Sequence, residues 1–355
     1  MNVSAGIVGL PNVGKSTLFN ALLKKQVADT ANYPFCTIEP NKGIVPVPDG
    51  RLPVLAKIVN TEKIVPAVVE FIDIAGLVKG AHKGEGLGNK FLANIREVSV
   101  IVHVVRFFED PNIEHVSSKI DPLSDVEIIE SELVLADLET LDKQKEPKLN
   151  ATKEEKIRWV AITKLKEELN KGILAKDVEL DEDEKKEIKP LFLLTEKPVI
   201  YAANLGEKQL AKKEEILKDF FRGPVIALSN KLEVDLASLT EDEQKEYLAE
   251  YNLTEPGLNR LVKIAYDTLG LISFLTAGEK EARAWTISKG TLAQEAAGVI
   301  HTDFIKKFIK ADVVSFENFV QYGGWVSSRA VGKVRTEGKE YLIKDGEVVD
   351  FKIGA

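Results

Sequence analysis

The chain has 355 residues, 44% apolar and 29% charged, with 48 basic against 56 acidic side chains and a net charge of −8. That composition fits a soluble globular protein with two or three cores, and it excludes attraction to nucleic acid by overall charge. No apolar run is long enough to span a bilayer, no secretory leader pattern is visible, and a single cysteine, Cys36, leaves no intrachain disulfide, which fits a reducing cytoplasm.

The first predicted element is a buried strand, Val3 to Val8, followed by Gly9-Leu-Pro-Asn-Val-Gly-Lys-Ser16 and a helix-like segment, Thr17 to Lys25. This is the phosphate-binding loop pattern in the strand–loop–helix setting that it requires. The glycines let successive backbone N–H groups turn toward phosphate oxygens, and the helix start adds a positive dipole end. Lys15 is expected to reach the outer phosphates and to be the main catalytic charge, and Ser16 to offer its hydroxyl to Mg²⁺. Asn12, Val13, Gly14 and Thr17 complete the predicted phosphate contacts, and Asn12 is a candidate to hold a monovalent cation such as K⁺ against them.

Thr37 lies in the next loop and is the candidate switch threonine that completes Mg²⁺ coordination. Ala67 to Ile74 reads as a buried parallel strand ending in Asp73-Ile-Ala-Gly76. Asp73 is expected to approach Mg²⁺ through water, and the Gly76 N–H to sense the γ-phosphate. Ras-like enzymes place a water-orienting Gln next; here the residue is Leu77, so hydrolysis needs another group. His82 and His115 lie in polar loops, and His115 is the candidate general base, although a plain surface histidine fits that position as well.

Val98 to Val105, Pro198 to Ala203 and Pro224 to Leu228 are further strand runs, and strands alternating with helices imply a doubly wound, mostly parallel α/β sheet. Between them, Val126, Ile129, Leu133, Ala136 and Leu141 recur at helical spacing, as do Ile157, Val160, Ile162 and Leu165. The two stretches predict an inserted antiparallel helical hairpin. From Lys143 to Lys166 there are eight basic and three acidic residues. That stretch is either a solvated face or an RNA-contacting prong.

Asn204-Leu205-Gly206-Glu207 follows the fourth strand run, where guanine-selective relatives of this fold carry Asn-Lys-x-Asp. Asp accepts two hydrogen bonds from guanine; Glu207 is one methylene longer and leaves that geometry, so weakened guanine selectivity and acceptance of adenine are expected. Asn204, Leu205 and Glu207 are thus predicted at the base, with Ser229 to Glu233 as the other wall. After about residue 275, Ala284 to Ile287 and Tyr341 to Val349 read as short strands, with Lys344-Asp-Gly-Glu347 as hairpin turn chemistry. Thr291 to Ile300 and Asp303 to Phe308 read as short helices. The expected units are 1–124 with 196–275, a helical insertion 125–195, and a small α+β unit 276–355.

With these motifs in place the chain resembles the YchF/Obg-like ATPases, a branch of the Obg group of P-loop NTPases. The resemblance rests on residues 9–17, 34–41 and 73–81, on Asn204-x-x-Glu207, and on Ala284-Trp-Thr, Gly338-Lys-Glu-Tyr and Asp345-Gly. It implies an Obg-type G domain, a helical hairpin and a C-terminal TGS domain of β-grasp fold. It further implies ATP hydrolysis with GTP also bound, a need for Mg²⁺, and association with the ribosome, chiefly the large subunit or the 70S particle. By match, Ser16 and Thr37 would hold Mg²⁺, Asn204 would face the base, and Leu77 would be a family trait. Gly323 to Ser328 departs from the pattern and is expected as a short irregular stretch. The expected role is a cytoplasmic nucleotide-dependent switch; the alternatives are a nucleotide-gated RNA- or ribosome-binding module with incidental hydrolysis, and a strict GTPase assembly factor.

Overall fold

The computed structural model describes residues 3–30, 41–74, 87–113, 120–148, 150–220 and 223–354. The strands are β1 (Ser4–Val8), β2 (Lys42–Pro46), β3 (Ile64–Val65), β4 (Val68–Asp73), β5 (Val100–Arg106), β6 (Val199–Asn204), β7 (Val225–Leu228), β8 (Leu271–Ala277), β9 (Ala282–Ser288), β10 (Phe308–Val314), β11 (Arg335–Glu337) and β12 (Val348–Ile353). The helices are α1 (Lys15–Thr30), α2 (Arg51–Ile58), α3 (Leu87–Glu97), α4 (Pro122–Asp142), α5 (Lys153–Asn170), α6 (Glu182–Ile188), α7 (Lys213–Leu217), α8 (Asn230–Leu236), α9 (Glu241–Glu250), α10 (Gly257–Thr268), α11 (Ala293–Ile300), α12 (Asp303–Lys307), α13 (Phe316–Tyr322) and α14 (Trp325–Ala330).

The first sheet has the order β2-β4-β1-β5-β6-β7. Every pairing in it is parallel except β2 with β4. β1 and β5 are buried along their whole length, as strands covered on both faces must be. The expected doubly wound sheet is therefore present, with an antiparallel edge strand that the sequence reading did not contain.

α4 and α5 form the expected pair of consecutive helices, and their caps follow from sequence. Asp121 accepts from Ser124 N ahead of Pro122, and Thr152 and Glu155 make a reciprocal capping box. The packing differs from a free-standing hairpin. Ile129, Leu133 and Ala136 of α4 lie in the same core as β1, β5 and β6, and Val126 packs with Val105 and Tyr201. α4 is the crossover helix between β5 and β6. Its C-terminal end, with Val134 and Leu141, joins a separate cluster with Ala161, Ile162, Leu165 and Leu169 of α5 and Ile188 of α6. Val160, expected on the apolar face, is exposed. Asp137, buried, accepts from Leu194 N (2.7 Å), Thr195 N (2.8 Å) and Thr195 Oγ1 (2.7 Å), which ties the two ends of residues 138–193 together.

The basic excess counted along 143–166 shrinks in three dimensions. Arg158 pairs with Glu187, Lys164 with Glu184 and Lys166 with Asp142, all acids outside that window. Lys143, Lys145, Lys148, Lys153 and Lys156 remain as exposed cations along the tip.

The second sheet has the order β11-β10-β12-β8-β9-β3, so it borrows its edge strand β3 from the N-terminal half. β8 and β9 form a hairpin, and β12 runs parallel to β8. Ala293 and Ala296 of α11 pack on it against Phe274 and Val313. The limit expected between 275 and 276 falls inside β8. Two expectations fail here. Tyr341 to Ile343 is not a hairpin strand: Leu342 makes one isolated bridge to Leu292, and Ala293 N donates to Tyr341 O, so the segment closes on the approach to α11. Residues 323–328 are not irregular: Gly323, at φ +74°, ends α13 in the left-handed conformation and α14 starts at Trp325.

Candidate functional site

The C-terminal ends of β1, β5, β6 and β7 meet in a cavity of about 770 Å³, the crevice where open α/β sheets bind ligands. Its floor is the loop from β1 to α1: Asn12, Gly14, Lys15, Ser16 and Thr17 all line it. Asn12 takes a left-handed conformation (φ +62°), and Gly14 sits at φ +102°. A Cβ on Gly14 would overlap the side-chain amides of Asn204 and Asn230, so only glycine fits.

Those two amides define the loop. Asn204 Nδ2 donates to Val13 O (2.9 Å), and Asn230 Nδ2 donates to Gly14 O (2.8 Å). Asn204 Oδ1 accepts from Asn230 N at 3.1 Å, closing the frame. In a trans peptide the N–H points opposite to the C=O. With the Val13 and Gly14 carbonyls drawn toward the asparagines, the N–H groups of Gly14 and Lys15 face the other way. Two adjacent N–H groups at a helix start form a concavity suited to an anion.

Asn204 was expected to face a base. Both ends of its carboxamide, in a side chain only 4% exposed, are engaged within the protein. It is a strut between loops first, and one Nδ2 hydrogen remains for a ligand. Leu205 lines the cavity, and its side chain is buried in a cluster with Leu210, Leu232 and Leu236. Val13 is likewise buried, with its carbonyl committed to Asn204. Glu207 lines the cavity and pairs with Lys231 at 3.2 Å; that bond holds the Lys231 pKa above its ordinary value. Ser229 is buried in the wall.

Lys15 Nζ donates to Leu10 O at 2.7 Å. Burial lowers its pKa, and the Asp73 carboxylate acts against that shift. Asp73, ending β4, is raised by burial and lowered by Lys15. His103, on β5 and paired in register with Val8 of β1, was not singled out from the sequence. It is fully buried, its ring 5.7 Å from that of Tyr201. Burial first, and the Lys15 ammonium second, push its pKa down to about 3. Its imidazole is neutral, so it adds no positive charge beneath the loop.

Thr37, Gly76, Leu77, His82 and His115 lie outside the described residues. Among the described residues no group of three or more His, Cys, Asp or Glu could hold a metal ion. The oxygen donors at hand, the exposed Ser16 hydroxyl and the Asp73 carboxylate, are of the hard type that suits Mg²⁺ with retained waters.

The sequence reading also missed one wall. Phe108, Glu109, Asp110 and Ile113, following β5, line the cavity together with Gln209. The available signal was position: the segment leaves the carboxyl end of the strand beside β1, where such folds place their ligands.

Two family models match the chain. Residues 4–137 match one described as "50S ribosome-binding GTPase", and residues 271–354 match YchF-GTPase_C, described as "Protein of unknown function (DUF933)". Among curated relatives, "Ribosome-binding ATPase YchF" of Bacillus subtilis is 48% identical over 364 residues, and that of Escherichia coli O157:H7 is 47% identical over 368; each alignment covers 99% of both chains. A solved structure titled "Structure of the Schizosaccharomyces pombe YchF GTPase" superposes with a TM-score of 0.87 at 37% identity, covering 99% of this chain and 98% of that one. No helix of the described residues is long and apolar enough to cross a membrane. A phosphate-loop fold at one end, the YchF C-terminal fold at the other, and full-length identity near one half place this chain in the YchF family of P-loop nucleoside triphosphatases.

Proposed function

We propose that this chain is a Mg²⁺-dependent triphosphatase that takes ATP, accepts GTP less selectively than a strict GTPase, and works as a nucleotide-dependent switch on the ribosome in the cytoplasm. The observation that carries the reading is the pair of asparagine amides holding the Val13 and Gly14 carbonyls, which turns two backbone N–H groups toward the loop's inner side. We place the β- and γ-phosphates there. Lys15 exchanges its neutral acceptor, Leu10 O, for phosphate oxygen and stabilises charge developing on it. Ser16, Asp73 through water, and Thr37 are the residues we assign to Mg²⁺, which neutralises the phosphate oxygens when bound. Asn12 we assign to K⁺; equal turnover in K⁺ and Na⁺ removes that assignment. Gly76 and His115 stay our candidates for sensing the γ-phosphate and activating water.

The base sits between the 108–113 loop and the 205–209 and 229–231 loops, with Phe108 supplying a ring face and Asn204, Leu205, Glu207 and Ser229 the opposite rim. The relatives named as ATPases, and the geometry of Glu207, favour adenine. For the chain's organisation we propose a nucleotide unit interrupted at 138–193, followed by a C-terminal unit beginning at β8.

For the ribosome, chiefly the large subunit and its RNA, we propose the tip lysines Lys143 to Lys156 as contacts. Charge reversal at Lys148, Lys153 and Lys156 abolishes co-sedimentation with 50S and 70S particles; unchanged binding discards the tip. The decisive experiment is calorimetric titration of ATP and GTP with Mg²⁺, with and without large subunits. Uptake of neither triphosphate overturns the reading. The apolar Leu77 favours a second reading, a ribosome-binding module that hydrolysis serves little; a Lys15→Ala variant that still docks and still works in cells selects it.

A further inference from the structure

Arg106 closes β5 and is 1% exposed. A guanidinium is charged at every working pH and is seldom buried without a carboxylate. Among the described residues this one makes no ion pair. It is spent on one loop instead. Nε donates to Phe108 O (3.1 Å), and Nη2 donates to Ile113 O (3.0 Å) and Asp110 O (3.5 Å). Nη1 is buried and has no acceptor among the described residues. The guanidinium carbon lies 4.4 Å from the centre of the Phe108 ring.

A buried cation with one face unsatisfied is an expensive way to tie a loop. What it achieves is geometric. A planar fork reaches three carbonyls from one point, which an ammonium cannot do. All three carbonyls belong to residues that line the cavity. The loop is joined to the same frame as Asn204: Phe107 N donates to Asn204 O (3.0 Å), and Gln209 spans from Phe107 O (3.2 Å) to Gly206 N (2.7 Å).

We infer that Arg106 is a positioning residue for nucleoside recognition, holding the 108–113 loop and the Phe108 ring as the platform on which a purine stacks. The inference rests on the nucleotide reading given above. The guanidinium takes one face of the ring and leaves the other for an electron-rich heterocycle. Arg106 itself touches neither base nor phosphate; it acts through Phe108.

The test uses full-length protein and two probes, Mg²⁺-ATP and inorganic tripolyphosphate, which has the anion but no base. Arg106→Lys keeps the charge and loses the fork. Its ATP affinity falls about tenfold or more, the scale of one base–aromatic stack, while tripolyphosphate binding stays within about twofold, and KM for ATP rises with kcat unchanged. Phe108→Leu gives the same pattern, and the double variant is no weaker than the weaker single one. Arg106→Gln, a neutral donor of shorter reach, is the second variant should Lys not fold, with the same expectation. Wild-type ATP affinity in Arg106→Lys overturns the inference. So does equal loss of ATP and tripolyphosphate, which marks a general structural role, and so do multiplicative losses in the double variant. If the wild-type chain takes neither probe, the nucleotide reading falls and this inference with it; if it takes both and the variants are silent, only this inference falls.

Discussion

Replacing Asn204 by Ala separates a strut from a base reader. The side chain is 4% exposed and holds Val13 O and Asn230 N at 2.9 and 3.1 Å. Truncation leaves one buried acceptor and one buried donor without partners, at about 1–3 kcal/mol each. The adjoining cavity admits water to part of that space, so a loss of about 2–4 kcal/mol of folding stability is expected. If half of it is felt by the phosphate loop, affinity for any triphosphate drops about tenfold, since about 1.4 kcal/mol is one decade. Urea unfolding at pH 7 reads the first quantity, and calorimetry with inorganic tripolyphosphate the second. A variant with an unchanged midpoint and unchanged tripolyphosphate affinity, weakened toward ATP alone, would refute the strut and leave Asn204 a base contact only.

Three further outcomes follow from the packing. His103 is refused its proton in the fold, with a pKa of about 3 against 6.5 when free, so the unfolded chain binds more protons between those values and stability is lost as pH falls below 6.5. From pH 7 to pH 5 that loss is about 2 kcal/mol, and His103→Phe, which keeps a ring beside Tyr201, should flatten it in urea melts; an identical pH slope in the variant contradicts the assignment. Asp137→Ala removes the acceptor of Leu194 N, Thr195 N and Thr195 Oγ1 and should cost about 3 kcal/mol; a midpoint shift worth under about 1 kcal/mol argues against that knot. Gly14→Ala places a Cβ against both asparagine amides at φ +102° and should abolish binding of ATP and tripolyphosphate alike, whereas a variant that binds normally denies the loop its stated geometry.

The nucleotide half was legible because its signals are local. A buried parallel strand is a short apolar run, so β1, β5, β6 and β7 stood out, and the loop from Gly9 to Ser16 carries its own spacing. β2 was illegible because an edge strand beginning at Lys42 and ending at Pro46 reads as a breaker-rich loop. β8 was cut by the stated boundary because what fixes it as a strand, pairing with β9 and with β12 some seventy residues on, is not local. The partial neutralisation of the charge along 143–166 was illegible for the same reason, since Glu184 and Glu187 arrive from α6. At the site, residue types and places were readable, but the partners of Asn204 were not. Nothing in Asn-Leu-Gly-Glu says that its carboxamide will be claimed by a peptide 191 residues earlier. The 108–113 wall went unread because Phe-Glu-Asp carries no motif spacing of its own, and only its place after the strand beside β1 marks it.

The Asp137 knot has a consequence for how this family can vary. Residues 138–193 leave the sheet's covering helix and return to it at nearly the same spot, so to the sheet they are a detachable limb and not a link in its chain. A two- or three-residue turn from Asp137 to Leu194 would spare every strand order and every neighbour of the cavity. The limb can be lengthened, recharged or exchanged without renegotiating the part that handles phosphate, which gives selection a handle for retargeting the molecule while its engine stays fixed.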